Sequence, residues 1–128
     1  MSNREEALLN VYDAYELDKH GVDEEQFVVG FDGWEVVPVV DRDEIIGGIV
    51  ILGREVHIGI IRTPAPKAAR FITQVLQRII DEERVATTTV RQSNEKGLKF
   101  CKRLGFITTG GPDESGVITL ACYRSNFK

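Results

Sequence analysis

With 128 residues, of which 42% are hydrophobic and 28% charged, the chain lies within the range of one packed domain and is too apolar to stay disordered. Its 20 acidic residues against 16 basic ones leave a net charge of -4, which repels a polyanion unless the basic residues gather on one face, so nucleic acid is not the expected partner. Cys101 and Cys122 are too few and too isolated for a disulfide framework or a zinc site. The N-terminal Met-Ser-Asn-Arg-Glu-Glu is no signal peptide and no run of eighteen apolar residues occurs, so a soluble protein of a reducing, cytoplasmic compartment with no membrane contact is expected.

From Arg4 to Leu17, the residues Leu8, Val11, Tyr12 and Tyr15 recur at the spacing of an amphipathic helix, which Gly21 ends. Asp23, with Gln26 three residues on, reads as a capping box opening a short second helix that buries Phe27, Val28 and Val29. Trp34 to Val40, Glu44 to Leu52 and Glu55 to Ile61 are β-branched runs separated by the turn formers Asp41 to Asp43 and Gly53-Arg54, which predicts a three-stranded antiparallel meander. Ala65 to Glu83 changes period and places Ala68, Ala69, Ile72, Val75, Leu76, Ile79 and Ile80 on one helical stripe, with Pro64 and Pro66 suited to the helix start.

Thr87 to Arg91 is a short strand, and from Ser93 onward a helix start is followed by Leu98, Cys101 and Leu104 at helical spacing and by Gly105 as a left-handed cap. Phe106 to Thr109 and Val117 to Tyr123 are two further strands around the turn-rich segment 110–116. The fold class is therefore α/β of the α+β kind: a single domain with a mixed, mostly antiparallel sheet of about six strands and flanking helices, in the order ααβββαβαββ. No internal repeat or low-complexity linker interrupts it.

The segment Asn94, Gly97, Phe100, Cys101, Arg103, Leu104, Gly105, Phe106 resembles the helix motif Asn-x-x-Ala-x-x-Leu-Tyr-x-Lys-Leu-Gly-Phe of the GNAT (GCN5-related N-acetyltransferase) superfamily, and Cys101 is the position that departs. Glu55-Val-His57-Ile-Gly59-Ile, followed by a long helix, is similar to that family's fourth strand and cofactor-binding motif. Together the matches span about Trp34 to Tyr123. The resemblance implies acetyl-CoA as cofactor, with its pantetheine arm held between two splayed strands and touched by Asn94. The same asparagine is also an ordinary helix N-cap, and the two roles are compatible.

In that family, pyrophosphate is bound by backbone amides of a glycine-containing loop at the start of the long helix, where unpaired N–H groups and the helix dipole favour an anion. Here the loop reads Ala65-Pro66-Lys67-Ala68-Ala69-Arg70, without either glycine and without the leading basic residue. Pro66 also removes an amide, and two weakened charge-assisted contacts cost about 3–6 kcal/mol. Lys67 and Arg70 are placed to offset this with charge, or else are solvated side chains at a helix start; the strand end at Ile60, Ile61 and Arg62 completes the cofactor-binding set implied. A main-chain N–H near Ile60 would polarise the thioester carbonyl.

The family's tyrosine acid falls at Cys101, which is a weak donor and sits in an apolar stripe, leaving Tyr123 on the last strand as the remaining candidate acid. For the base, strand alternation sets Glu55, His57 and Gly59 on one face, and a histidine's ordinary titration range favours His57 over Glu55. A strand histidine packed against a neighbouring helix is the plainer alternative. Lys96, Lys99, Lys102 and Arg103 form a basic run that either meets a ribose phosphate or is merely solvated.

Two readings follow. One is an acetyl-CoA-dependent N-acyltransferase acting on a small-molecule or protein amine. The other is a catalytically silent domain of the same fold serving as a structural or virion-assembly module with a protein partner, since small tailed-phage proteins with degenerate GNAT folds show a similar Glu-Val-His strand and glycine-poor loop. Fold alone does not choose between them.

Overall fold

The computed structural model describes residues 2–127. Helix α1 (Asn3–Ala14) begins at Ser2, whose hydroxyl accepts from the Glu5 amide at 3.1 Å, and it buries Ala7, Leu8, Val11 and Tyr12. The helix stops at Tyr15, earlier than the periodicity to Leu17 suggests, because Glu16 takes a left-handed conformation and starts a separate 3-10 turn over Leu17–His20. In α2 (Glu24–Gly30) Asp23 caps the Gln26 amide as the sequence predicts. Phe27 packs edge-on between Tyr12 and Phe31, whereas Val29 is left 71% exposed.

Strands β1 (Glu35–Asp41) and β2 (Glu44–Leu52) pair antiparallel through a two-residue turn in which Arg42 and Asp43 both have positive φ, the hand that matches the strand twist. Asp41, expected in the turn, is the last residue of β1 and pairs with Glu44. A register shift between Val39 and Val40 leaves Ile46 as the extra residue of a bulge. β3 (Glu55–Ile60) follows the Gly53-Arg54 turn, and α3 (Pro66–Glu83) buries Ala68, Ile72, Val75, Leu76, Ile79 and Ile80, while Ala69 is exposed and off the stripe.

β4 (Val85–Arg91), α4 (Glu95–Leu104), β5 (Ile107–Gly110) and β6 (Val117–Tyr123) complete the chain. β4 starts two residues earlier than Thr87 and pairs antiparallel with β6, which pairs antiparallel with β5. Parallel pairing joins β3 to β4 at Glu55 and Thr87. The sheet has six strands in the order β1-β2-β3-β4-β6-β5. Two compact units divide the chain: the first runs to Leu52 and resumes over His57–Ile72, and the second takes Gly53–Val56 and everything from Thr73 onward.

In the first unit α1 lies close on the sheet because glycines receive it. A Cβ on Gly59 would stand 2.8 Å from the Val11 Cα, and one on Gly48 would stand 3.1 Å from the Ala7 carbonyl oxygen. In the second unit Gly105 closes α4 at φ 104. A Cβ there would lie 2.0 Å from the Asn126 carbonyl oxygen, so both the conformation and the space demand glycine.

Candidate functional site

The residues that the sequence singles out divide between the two units. His57, Ile60, Ile61, Arg62 and the run Lys67, Ala68, Ala69, Arg70 lie in the first; Glu55, Asn94 and Tyr123 lie in the second.

On β3 the Ile61 amide donates to the Ile46 carbonyl at 2.9 Å, which directs it toward β2. Successive backbone groups of a strand point to opposite edges, so the Ile60 N–H and the Ile58 carbonyl lie on the edge away from β2. The Tyr15 hydroxyl donates to that Ile58 carbonyl at 2.7 Å. His57 is half-buried, and its ring stands 6.0 Å from the Trp34 ring at an interplanar angle of 41°. Trp34 in turn packs edge-on against Phe31, and Arg4 ties the segment down by donating to the Phe31 carbonyl at 2.7 Å and the Trp34 carbonyl at 3.3 Å. The imidazole therefore lies beside an aromatic wall whose backbone is fixed from α1.

At the α3 start the chain supplies its own anion. Asp41 is 4% exposed, and its Oδ2 accepts from the Arg62 guanidinium and, at 3.3 Å, from the Ala65 amide. The second Arg62 nitrogen reaches the Asp41 carbonyl and the Glu44 carboxylate, each at 3.4 Å. The guanidinium bond holds the Asp41 carboxyl below its ordinary range, helped by the Ala65 amide and opposed by burial. The same hydrogen bond raises Arg62 further. An open groove of about 540 Å³ adjoins this pair, lined by Pro38 and Val40 of β1 and by Ala68 and Phe71 of α3, with Lys67 at its rim. Lys67, Ala69 and Arg70 are exposed.

In the second unit Asn94 caps α4, its Oδ1 accepting from the Gly97 amide at 3.0 Å. Gly97 is needed for that approach, since a Cβ would fall 2.5 Å from the Asn94 side-chain nitrogen. Burial, with Cys122 adding to it, pushes the Cys101 thiol up to about 11, away from the thiolate form that a nucleophile needs. Tyr123 is 46% exposed on β6, and Lys96, Lys99, Lys102 and Arg103 all face solvent. Glu55 is half-buried at the start of β3.

Two residues that matter here escape sequence reasoning. Tyr15 reads as one more member of a helical stripe, yet its hydroxyl sits on the edge of β3. Asp41 reads as a turn former, yet it is buried at a strand end; a lone arginine directly after the next strand but one, Arg62, is the signal that pairs with it. Among the described residues no group of three or more metal-ligating side chains occurs, and no helix is long and apolar enough to cross a membrane.

Solved structures of similar shape decide the architecture. FeeM, an N-acyl amino acid synthase from uncultured soil microbes, superposes with a TM-score of 0.71 at 18% identity, over 100% of this chain and 97% of its own. The PaiA N-acetyltransferase of Thermoplasma acidophilum, in complex with coenzyme A, gives 0.66 at 13% identity over 96% and 95%, and a probable GNAT-family acetyltransferase of Chromobacterium violaceum gives 0.62 at 13% over 98% and 81%. The chain has the GNAT fold. No model of a protein family matches the sequence, and no curated protein matches it either.

Coenzyme A is the group that the GNAT fold implies, and the α3 start does not fit its pyrophosphate. The Ala65 amide and the Arg62 guanidinium are engaged by the Asp41 carboxylate, and Pro66 has no N–H to offer. At β3 stand contacts of another kind: a phenol on the Ile58 carbonyl and an indole beside the His57 imidazole.

Proposed function

We propose that this chain transfers an acyl group from a thioester to an amine, with His57 taking the proton that the amine loses. The observation that carries the reading is β3 of a GNAT fold, which bears the His57 imidazole and the outward Ile60 N–H and whose Ile58 carbonyl accepts from the Tyr15 hydroxyl of α1. The amine nitrogen attacks the carbonyl carbon of the thioester and a C–N bond forms. The oxygen gathers negative charge, for which the Ile60 N–H is the nearby backbone donor. The C–S bond then breaks, the amine proton passes to His57, and the leaving thiolate takes a proton from solvent, Cys101 being a weak donor.

Trp34 limits the swing of the imidazole, and Tyr15 fixes the strand edge through the Ile58 carbonyl. The likeness to an N-acyl amino acid synthase makes amino acids the first acceptors to try. Thiol release from acetyl-CoA and from S-acetyl-N-acetylcysteamine, measured against a panel of amino acids and polyamines, tests the proposal. Turnover with at least one pair is expected, together with a loss of about 10²–10⁴ in rate and of one limb of the pH–rate profile on His57→Gln.

A second reading, a GNAT-fold module that binds a protein partner and catalyses nothing, is favoured by one observation: the α3 start is closed by Asp41 and Arg62. Release of thiol no faster than the uncatalysed rate with every pair ends the enzyme reading and leaves this one.

A further inference from the structure

The Asp41–Arg62 pair is built as a site rather than as a surface ion pair. Asp41 is almost fully buried at the end of β1, Arg62 is partly covered after β3, and the Ala65 amide closes the arrangement where α3 begins. Two donors of the β3–α3 connection, 21 and 24 positions from Asp41, thus converge on one carboxylate oxygen. Glu44, at the start of β2, adds a second carboxylate to the outer side of the same guanidinium. The donors gathered here, a planar guanidinium and a backbone N–H beside a helix start, are the kind that recognise phosphate oxygens.

We propose that Asp41 is a resident anion: it takes the position at the α3 start that the diphosphate of a nucleotide-linked acyl donor would occupy, so that the chain selects donors by their thioester end alone. The identity of the donor rests on the acyl-transfer reading above; the occupation of the anion position does not. The wild-type chain therefore gains nothing from a diphosphate handle, and removing the carboxylate turns the same guanidinium and amide into a phosphate site. Arg62 is the residue whose vacancy creates that site, and Lys67, exposed at the groove rim, supplies further positive charge.

Calorimetric titration with inorganic pyrophosphate tests the anion position without any need for turnover. The wild-type chain should show no binding at up to about 10 mM, a concentration well above the dissociation constants of built phosphate sites. Asp41→Ala should bind at least tenfold tighter than wild type, and adding Arg62→Gln should abolish the gain. Asp41→Asn, which keeps the side-chain shape, is the companion variant should the alanine unfold the loop, with circular dichroism confirming each fold.

Millimolar or tighter binding by the wild type would overturn the proposal, as would folded Asp41→Ala and Asp41→Asn proteins that bind no better than wild type. For donor selection, wild-type kcat/KM should agree within threefold between acetyl-CoA and S-acetylpantetheine, and Asp41→Ala should raise it only for acetyl-CoA. A tenfold wild-type preference for acetyl-CoA would refute that part. Absence of turnover with both donors, alongside the expected pyrophosphate contrast, would leave the resident anion standing and remove the acyl-transfer reading.

Discussion

Gly59→Ala is the substitution that joins the packing of this fold to its candidate site. A Cβ at Gly59 would lie 2.8 Å from the Val11 Cα and 3.1 Å from its Cγ1, so α1 has to rise by at least about 0.6 Å before the contact becomes ordinary at 3.4 Å. α1 is fully seated here, with Ala7, Leu8 and Val11 all at 0% exposure, and overpacking of this kind costs about 1–3 kcal/mol. Tyr15 is one turn beyond Val11, so lifting the helix also breaks its bond to the Ile58 carbonyl, worth about 0.5–1.5 kcal/mol. The stiffer unfolded chain returns about 0.4–1 kcal/mol. The net loss is about 0.5–4 kcal/mol, and at about 2.1 cal/mol/K of unfolding entropy per residue this lowers the Tm by about 2–15 °C.

Thermal and urea unfolding of Gly59→Ala should be set beside Gly30→Ala, where nothing lies within 4 Å and alanine should raise stability by about 0.5–1 kcal/mol. A double-mutant cycle adds the link to the site: Tyr15→Phe should cost less in the Gly59→Ala background than in wild type. Equal stability of wild type and Gly59→Ala would refute the close seating of α1. An unchanged cost of Tyr15→Phe in the two backgrounds would refute its coupling to the strand edge.

Gly105→Ala combines a positive φ with a 2.0 Å approach to the Asn126 carbonyl oxygen, and it should destabilise the chain by about 2–4 kcal/mol in urea unfolding, against under 1 kcal/mol for Gly110→Ala, which has open space. For Asp41 the folded carboxyl titrates below its ordinary value of 3.8, so the stability it contributes is complete above that value and is lost as pH falls through the folded one. The Tm difference between wild type and Asp41→Asn should thus be constant from about pH 5 to 7 and shrink below about pH 4; a difference independent of pH down to full acidification would contradict the pairing. Cys101, raised from 9.0 to about 11, should react with iodoacetamide at pH 8 about a hundredfold more slowly in the folded chain than in urea, as followed by mass spectrometry, and comparable rates would show an exposed thiol.

The parts of the fold that were legible in the sequence are those written in local code. α4 carries its cap at Asn94 and its stop at Gly105 within a dozen residues, and α2 carries Asp23 and Gln26 three apart, so neighbouring residues suffice to predict both. The long stripe of α3 is equally local, apart from Ala69, whose apolar side chain says nothing about which way it faces. The α1 boundary moved because the left-handed Glu16 has no glycine or asparagine to announce it. Tyr15 and Asp41 went unread for a different reason. Their partners stand 43, 21 and 24 positions away, and only the folded chain brings a tyrosine to Ile58 or an aspartate to Arg62 and Ala65.

Trp34 is the sole tryptophan of the chain, and its ring stands beside His57. An imidazolium quenches indole emission more strongly than a neutral imidazole does. The native fluorescence of this protein is therefore a built-in optical gauge of the His57 surroundings, read from an unlabelled sample with Trp34→Phe as the blank.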